Sequence, residues 1–262
     1  MRILFAGDVV GRPAREYLKE ALPRLRKKLC LDAIVVNGEN SAGGSSITRD
    51  TAREIFESGV DVITSGDHIF KKKDAIEVLK TMDVIRPLNY GRGAPGSGYL
   101  IKKIGNCKLG VINLQGRVFM SPVDCPFNAV RDILEEIKKE AEIILVDMHA
   151  EATSEKVAMG YFLAGKVSVV VGTHTHIPTA DARIINGATA YITDAGMTGS
   201  FDSVLGREKQ PIIERFVTNM PTRFNLATGD VRLQGVVVDV DNDSGRAISI
   251  ERIEEKKNGT AA

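Results

Sequence analysis

Two histidines, His174 and His176, stand in the segment Gly172-Thr173-His174-Thr175-His176, directly after the run Val167-Ser168-Val169-Val170-Val171. A short β-branched run closed by glycine reads as a buried strand. Neutral imidazole is the commonest metal-ligating side chain and needs only one ring nitrogen aimed at the ion. On a loop after a strand, an H-x-H pair can turn both rings into one site. The same residues also fit a polar turn with two exposed histidines. The rest of the chain tips the balance, because its four histidines, His68, His149, His174 and His176, all lie just beyond apolar runs.

Five such runs can be read: Arg2–Ala6, Ala33–Asn37, Val60–Ser65, Glu142–Asp147 and Val167–Val171. They end in Asp8, Glu39-Asn40, Asp67-His68, His149 and His174/His176. An aspartate after a strand is usually a turn or cap residue. Open α/β sheets, however, gather ligands outside the carboxyl ends of their strands, so five donor-bearing ends predict one shared pocket. The donors are oxygen and nitrogen without thiolate, which suits Mn, Fe or Zn. They are more than one ion needs. A glutamate bridging two ions about 3.5–4 Å apart is the economical arrangement.

The elements that must position these groups alternate along the chain. Leu18, Ala21, Leu22, Leu25 and Leu29 recur at helical spacing after Gly11-Arg12-Pro13, and Pro23 within that pattern predicts a kink or interruption. Thr51 with Glu54 fits a capping box for a helix that Gly59 stops. Lys71-Lys72-Lys73 reads as a solvated face. Residues 86–98 are rich in proline and glycine but lack the strand-to-helix context of a dinucleotide loop. Strands are expected at Tyr99–Ile101, Leu109–Leu114 and Tyr191–Thr193, and helices near 126–137 and over Ser154–Leu163. Residues 196–222 show no clean period. Leu233–Val240 and Ala247–Ile253 predict an antiparallel pair. Their link Asp241-Asn242-Asp243-Ser244-Gly245 resembles part of a calcium loop but lacks the downstream glutamate, which favours a hairpin turn. A frayed tail is expected over Lys256–Ala262.

Composition bounds the function. At 262 residues the chain can bury a substantial core, and with no repeat or linker it reads as one domain over 1–262. Loops within 86–98 and 196–222 are candidates for a small cap. Basic and acidic residues number 35 and 34, which gives no electrostatic case for nonspecific nucleic-acid or membrane binding. No apolar run approaches the ~20 residues of a spanning helix. The start lacks a signal-peptide pattern. Cys30, Cys107 and Cys125 are odd in number and scattered, against a disulfide framework or zinc ribbon. A cytoplasmic protein with small core thiols is expected, as a monomer or a homo-oligomer.

At this point the blocks Gly7-Asp8, Gly38-Glu39-Asn40, Gly66-Asp67-His68, His149-Ala150-Glu151 and Gly172–His176 resemble the calcineurin-like metallophosphoesterases. Asn113–Arg117, His149–Lys156 and Asp194–Gly199 narrow the resemblance to the YmdB-like bacterial branch, over Met1 to about Ile253. The resemblance implies an α/β fold, a four-layer αββα sandwich with mixed sheets. It implies two metal ions, Fe or Mn ahead of Zn. One would be held by Asp8, Glu39, Asn40 and His176, the other by Glu39, Asp67, His149 and His174. It further implies hydrolysis of a small-molecule phosphodiester, a 2′,3′-cyclic nucleotide, by hydroxide held between the metals, with His68 as general acid. Two features depart from the wider pattern. Val10 occupies a position that is histidine in the superfamily, a loss the branch shares and Asn40 could fill. Asp67 stands where the branch usually has asparagine. The alternatives are a phosphomonoesterase or nucleotidase, and a metal-binding regulatory protein without turnover.

Overall fold

The computed structural model describes residues 1–257. In chain order the elements are β1 (Arg2–Ala6), β2 (Asp8–Val9), α1 (Gly11–Lys28), β3 (Ala33–Asn37), α2 (Arg49–Glu57), β4 (Val62–Thr64), α3 (Ala75–Thr81), β5 (Tyr99–Ile104) and β6 (Cys107–Gln115). There follow α4 (Pro126–Lys138), β7 (Ile143–His149), α5 (Thr153–Leu163), β8 (Val169–Thr173), β9 (Arg183–Ile185) and β10 (Thr189–Ile192). The chain continues with β11 (Met197–Ser200), α6 (Lys209–Thr218), β12 (Val231–Val240) and β13 (Ala247–Lys256).

The strands form two mixed sheets. In the first, β1, β3 and β4 run parallel, and β12 pairs antiparallel with β1, β11 and β13. In the second, β6, β7, β8 and β10 run parallel between antiparallel edges β5 and β9. Strand alternation builds the layers. Ile3 and Phe5 face Leu109, Val111, Leu145 and Val171 of the opposite sheet, whereas Leu4 and Ala6 face α1, α2 and α3. On the second sheet Ile144 and Val146 turn outward beneath α4 and α5. Both faces of each central strand are therefore buried, which is why the runs read as continuous apolar stretches. Each fully buried Val, Leu, Ile or Phe is worth ~1.5–3 kcal/mol, so this sandwich is a rigid base for whatever its strand ends carry. This is the expected αββα architecture.

Several local expectations are corrected. Pro23 does not interrupt α1. It and Lys19, whose carbonyl it leaves unbonded, lie on the exposed side, where water can satisfy that oxygen, while Leu18, Leu22 and Leu25 hold the opposite face in the core. The cap of α2 is Thr48, which forms a capping box with Thr51; Glu54 instead pairs with Arg15 at 2.8 Å. The cysteines are not core residues: Cys30 is exposed and the other two are half-buried. Residues 196–222 contain β11 and α6, neither of which the sequence pattern disclosed. The 241–245 link is a turn, with Asp241 accepting from the Ser244 N–H and hydroxyl. Of the expected tail, Lys256 ends β13, and 258–262 lie outside the described residues. No helix of the described chain is long and apolar enough to cross a membrane.

Candidate metal centre

The donor-bearing strand ends meet at one edge of the sandwich, and both sheets contribute. Asp8, Glu39-Asn40 and Asp67-His68 follow β1, β3 and β4, while His149 ends β7 and His174 and His176 follow β8. One donor atom each from Glu39, Asp67, His149 and His174 lies within 4.8 Å of the others. His149 Nε2 is 3.3 Å from Glu39 Oε1, 3.2 Å from Asp67 Oδ1 and 3.1 Å from His174 Nδ1. Beside this group lies a second. His176 Nε2 is 3.6 Å from Asp8 Oδ1, and Asn40 Nδ2 is 3.1 Å from Glu39 Oε1 and 3.4 Å from both Asp8 Oδ1 and His176 Nε2. Glu39 touches both groups. All eight residues singled out from sequence are thus brought together, His68 included. A half-exposed His68 ring overlies the cluster, with Nδ1 3.1 Å from Asn40 Oδ1 and Nε2 3.5 Å from Asp67 Oδ2.

These residues fit divalent metal ions. Asp8 and Glu39 are fully buried, and buried carboxylates crowded together require counter-charge. Burial would raise the Asp8 carboxyl, but the charge and hydrogen bond of His176 hold it well below the usual carboxylate range. Asp67 behaves alike: burial opposes ionisation, yet the hydrogen bond and charge of His149 bring it down to about 2. His149 is disfavoured as a cation by burial but pushed well above its ordinary value by Glu39 and Asp67. Burial likewise opposes the His176 cation, which Asp8 nevertheless raises. His174 goes the other way, lowered by burial and by the neighbouring His149 charge. The cluster thus has a field that attracts positive charge. Gly66 completes the cradle, because a Cβ there would run into the His149 ring and the Glu39 carboxylate. Asn40 turns Nδ2 toward this group and Oδ1 toward His68; a half-turn of the amide, which exchanges the two, would present the oxygen to Asp8, Glu39 and His176.

Groups around the candidate ligands fix their tautomers. The Thr173 hydroxyl donates to Asp147 Oδ1 at 2.7 Å, so it accepts at 2.9 Å from the Nδ1–H of His149. That leaves the Nε2 lone pair of His149 facing the cluster. Asp147 is fully buried, which pushes its carboxyl up to about 6 even though Thr64, Thr173 and Asn37 donate to it. His174 Nε2 lies 3.0 Å from Glu151, which points Nδ1 inward. Outer partners of this kind are worth 10–100-fold in metal affinity. Thr173→Val is therefore expected to weaken one metal by about that factor, as read by competition with a fluorescent chelator. Unchanged affinity would remove the relay.

The H-x-H loop is strained. His174 has φ 92° and His176 φ 61°, left-handed conformations that cost bulky residues roughly 1–3 kcal/mol each. Between them, Thr175 donates its N–H and hydroxyl to Asp194 Oδ2, and the same oxygen pairs with Lys156 Nζ at 2.9 Å. Lys156 and Asp194 are fully buried, and Lys156 also reaches the Thr175 hydroxyl at 3.0 Å. The His174 N–H donates to Asp8 Oδ2, tying the loop to the other sheet. The sequence reading did not identify this anchoring pair, although both residues fall in the blocks it quoted. Those blocks also interlock, Glu155 accepting from the Arg117 N–H as well as from that of Val118, and Asn113 Oδ1 accepts from the N–H of Ser65 just past β4.

A cleft of about 600 Å³ opens over Glu39, His68, His174 and His176. Ile177, Leu205, Ile212, Phe216, Phe224 and Arg207 also line it. The loop Ser41–Thr48 contributes Gly44 to this cleft, and Met197–Arg207 contributes Val204, Leu205 and Arg207. Asn89–Ser97 lines a separate groove.

Comparison with known proteins gives the family. The family model for YmdB-like proteins matches residues 4–253. A Bacillus subtilis protein named 2′,3′-cyclic-nucleotide 2′-phosphodiesterase is 46% identical over 97% of this chain and 96% of its own. The crystal structure of a novel phosphatase from Mycoplasma pneumoniae superposes with a TM-score of 0.92 at 33% identity, covering 98% of this chain and 93% of that one. The calcineurin-like phosphoesterase YfkN of Bacillus subtilis shares the fold alone, at TM-score 0.59 and 12% identity, over 98% and 90% of the two chains. The chain therefore belongs to the YmdB-like family and carries the calcineurin-like phosphoesterase fold.

Proposed function

We propose that the chain hydrolyses 2′,3′-cyclic nucleotides at a dinuclear metal centre. One ion would be held by Asp8, Glu39, Asn40 and His176, the other by Glu39, Asp67, His149 and His174. The observation that carries this reading is the pair of donor groups sharing Glu39 beneath His68, at the floor of an apolar cleft. The name of the Bacillus subtilis relative supports the substrate class. Oxygen and nitrogen donors without thiolate favour iron or manganese. Free thiols at three cysteines and a nucleotide substrate favour a cytoplasmic setting.

Two divalent ions, when bound there, would supply Lewis acidity and lower the pKa of water toward neutral. The chain does the rest. Ile177, Leu205, Phe216 and Phe224 receive the nucleoside. His68 gives a proton to the departing ribose 2′-oxygen as the P–O2′ bond breaks, so water adds to phosphorus and a 3′-phosphate is released. An alkoxide is a poor leaving group, and this transfer is where a positioned acid matters most. The test is turnover of 2′,3′-cyclic AMP against 3′-AMP by protein loaded with manganese or iron. Faster hydrolysis of the cyclic diester is expected. Faster hydrolysis of the monoester would make it a nucleotidase, and full metal content without turnover would make it a metal-dependent regulator.

Asp67 should set the charge of the site. Unit charges 4 Å apart interact by about 4 kcal/mol at an effective dielectric of 20. Asp67→Asn removes one such charge and keeps an oxygen donor. Affinity for one metal is expected to fall by about tenfold or more. At saturating metal, KM for the anionic diester is expected to fall as well. A KM that stays put or rises would show that Asp67 carries no charge at the site.

A further inference from the structure

The groove beside the metal centre has no role in the reaction so far described. It is an open groove of about 920 Å³ lined by Phe70, Ile76, Tyr90, Arg92, Pro95 and Pro122. Phe70 and Tyr90 pack with ring centroids 5.8 Å apart and planes tilted by 37°. Phe70 stays 36% exposed and Ile76 40% exposed, so an apolar and partly aromatic surface faces solvent. Cations border it: Arg92 is exposed at its wall, and exposed Lys71, Lys72 and Lys73 directly follow Phe70. Asp124 is the acidic group in its lining.

The groove is built onto the site. Phe70 lies two residues beyond His68, and the Tyr90 hydroxyl donates to the carbonyl of Gly66, the residue packed against His149 and Glu39. The turn carrying Asp67 and His68 thus has the nucleoside cleft on one side and this groove on the other. A mononucleotide has one base and fills one apolar surface. Two base-sized surfaces flanking one phosphate site suit a substrate of at least two nucleotides. Aromatic faces accept any base by stacking, and cations at the rim meet backbone phosphate.

We propose that this groove is a second nucleotide subsite, which takes the residue upstream of a 2′,3′-cyclic phosphate at the end of a single-stranded oligonucleotide. The proposal rests on the phosphodiesterase reading. It requires no net basic charge of the whole protein, because it concerns a chain end bound at a fixed place.

The test compares kcat/KM of metal-loaded enzyme on a trinucleotide ending in 2′,3′-cyclic phosphate and on the cyclic mononucleotide. The intact protein is expected to favour the trinucleotide by about tenfold or more, within the range of one base stacked on an aromatic ring. Phe70→Ala should abolish that preference and leave the mononucleotide rate unchanged. Arg92→Gln, an exposed change that spares packing, should reduce the preference and its salt dependence. Equal rates on the two substrates in the intact protein, or a preference that survives both substitutions, would overturn the subsite. Fluorescence anisotropy of a labelled trinucleotide 3′-phosphate separates the two readings. Binding that depends on Phe70 without any hydrolysis would retain the groove and reject the phosphodiesterase. Mononucleotide hydrolysis without such binding would do the reverse.

Discussion

His68→Ala is expected to retain both metals and lose roughly 10²–10⁴-fold in kcat on a cyclic nucleotide, the usual worth of a positioned general acid. The geometry gives the reason. The ring overlies the donor cluster, its Nδ1 lies 3.1 Å from the Asn40 side-chain amide, and its own backbone N–H donates to Glu39 Oε2 at 3.0 Å. The residue is therefore positioned by two groups of the centre and lines the cleft above it. A ribose alkoxide needs the proton and p-nitrophenolate does not. The loss should accordingly shrink on bis-p-nitrophenyl phosphate. Equal losses on the two substrates would assign His68 to metal or substrate binding instead.

Lys156→Met should destabilise the fold by about 3–5 kcal/mol, the typical cost of removing one partner from a buried ion pair. That is a large part of the ~5–15 kcal/mol by which domains are stable. Lys156 and Asp194 are both inaccessible, so the orphaned carboxylate has no route to water. The effect should reach the metals, because Asp194 holds Thr175 between the two strained histidines. A double variant, Lys156→Met with Asp194→Asn, removes the uncompensated charge and should recover much of the urea midpoint. Metal affinity should stay low, since a neutral amide is a weaker acceptor for Thr175. A wild-type midpoint in the single variant would refute the buried-charge account.

The fold was legible where both faces of a strand are buried. Val169 to Val171 and Ile143 to Val146 lie in the two cores, and an unbroken apolar run is the trace that burial leaves. Their ends were legible because metal-type donors there are too numerous for turn residues alone. Other parts left no such trace. In α6 the buried residue is Ile212, while Ile213, Phe216 and Val217 remain exposed, so no amphipathic period marks it. The Lys156–Asp194 pair joins residues 38 apart in sequence, and nothing local announces an ion pair of that separation. That Pro23 does not interrupt α1 has a related reason: its cost depends on which side of the helix faces water, a tertiary fact.

Metal content tests the central claim most directly. Glu39 is the side chain common to both donor groups. Protein reconstituted with manganese or iron, then freed of loosely held metal, should contain two ions per chain by elemental analysis. Glu39→Ala should retain less than one. A single ion per chain that persists undiminished in Glu39→Ala would contradict a centre bridged by Glu39.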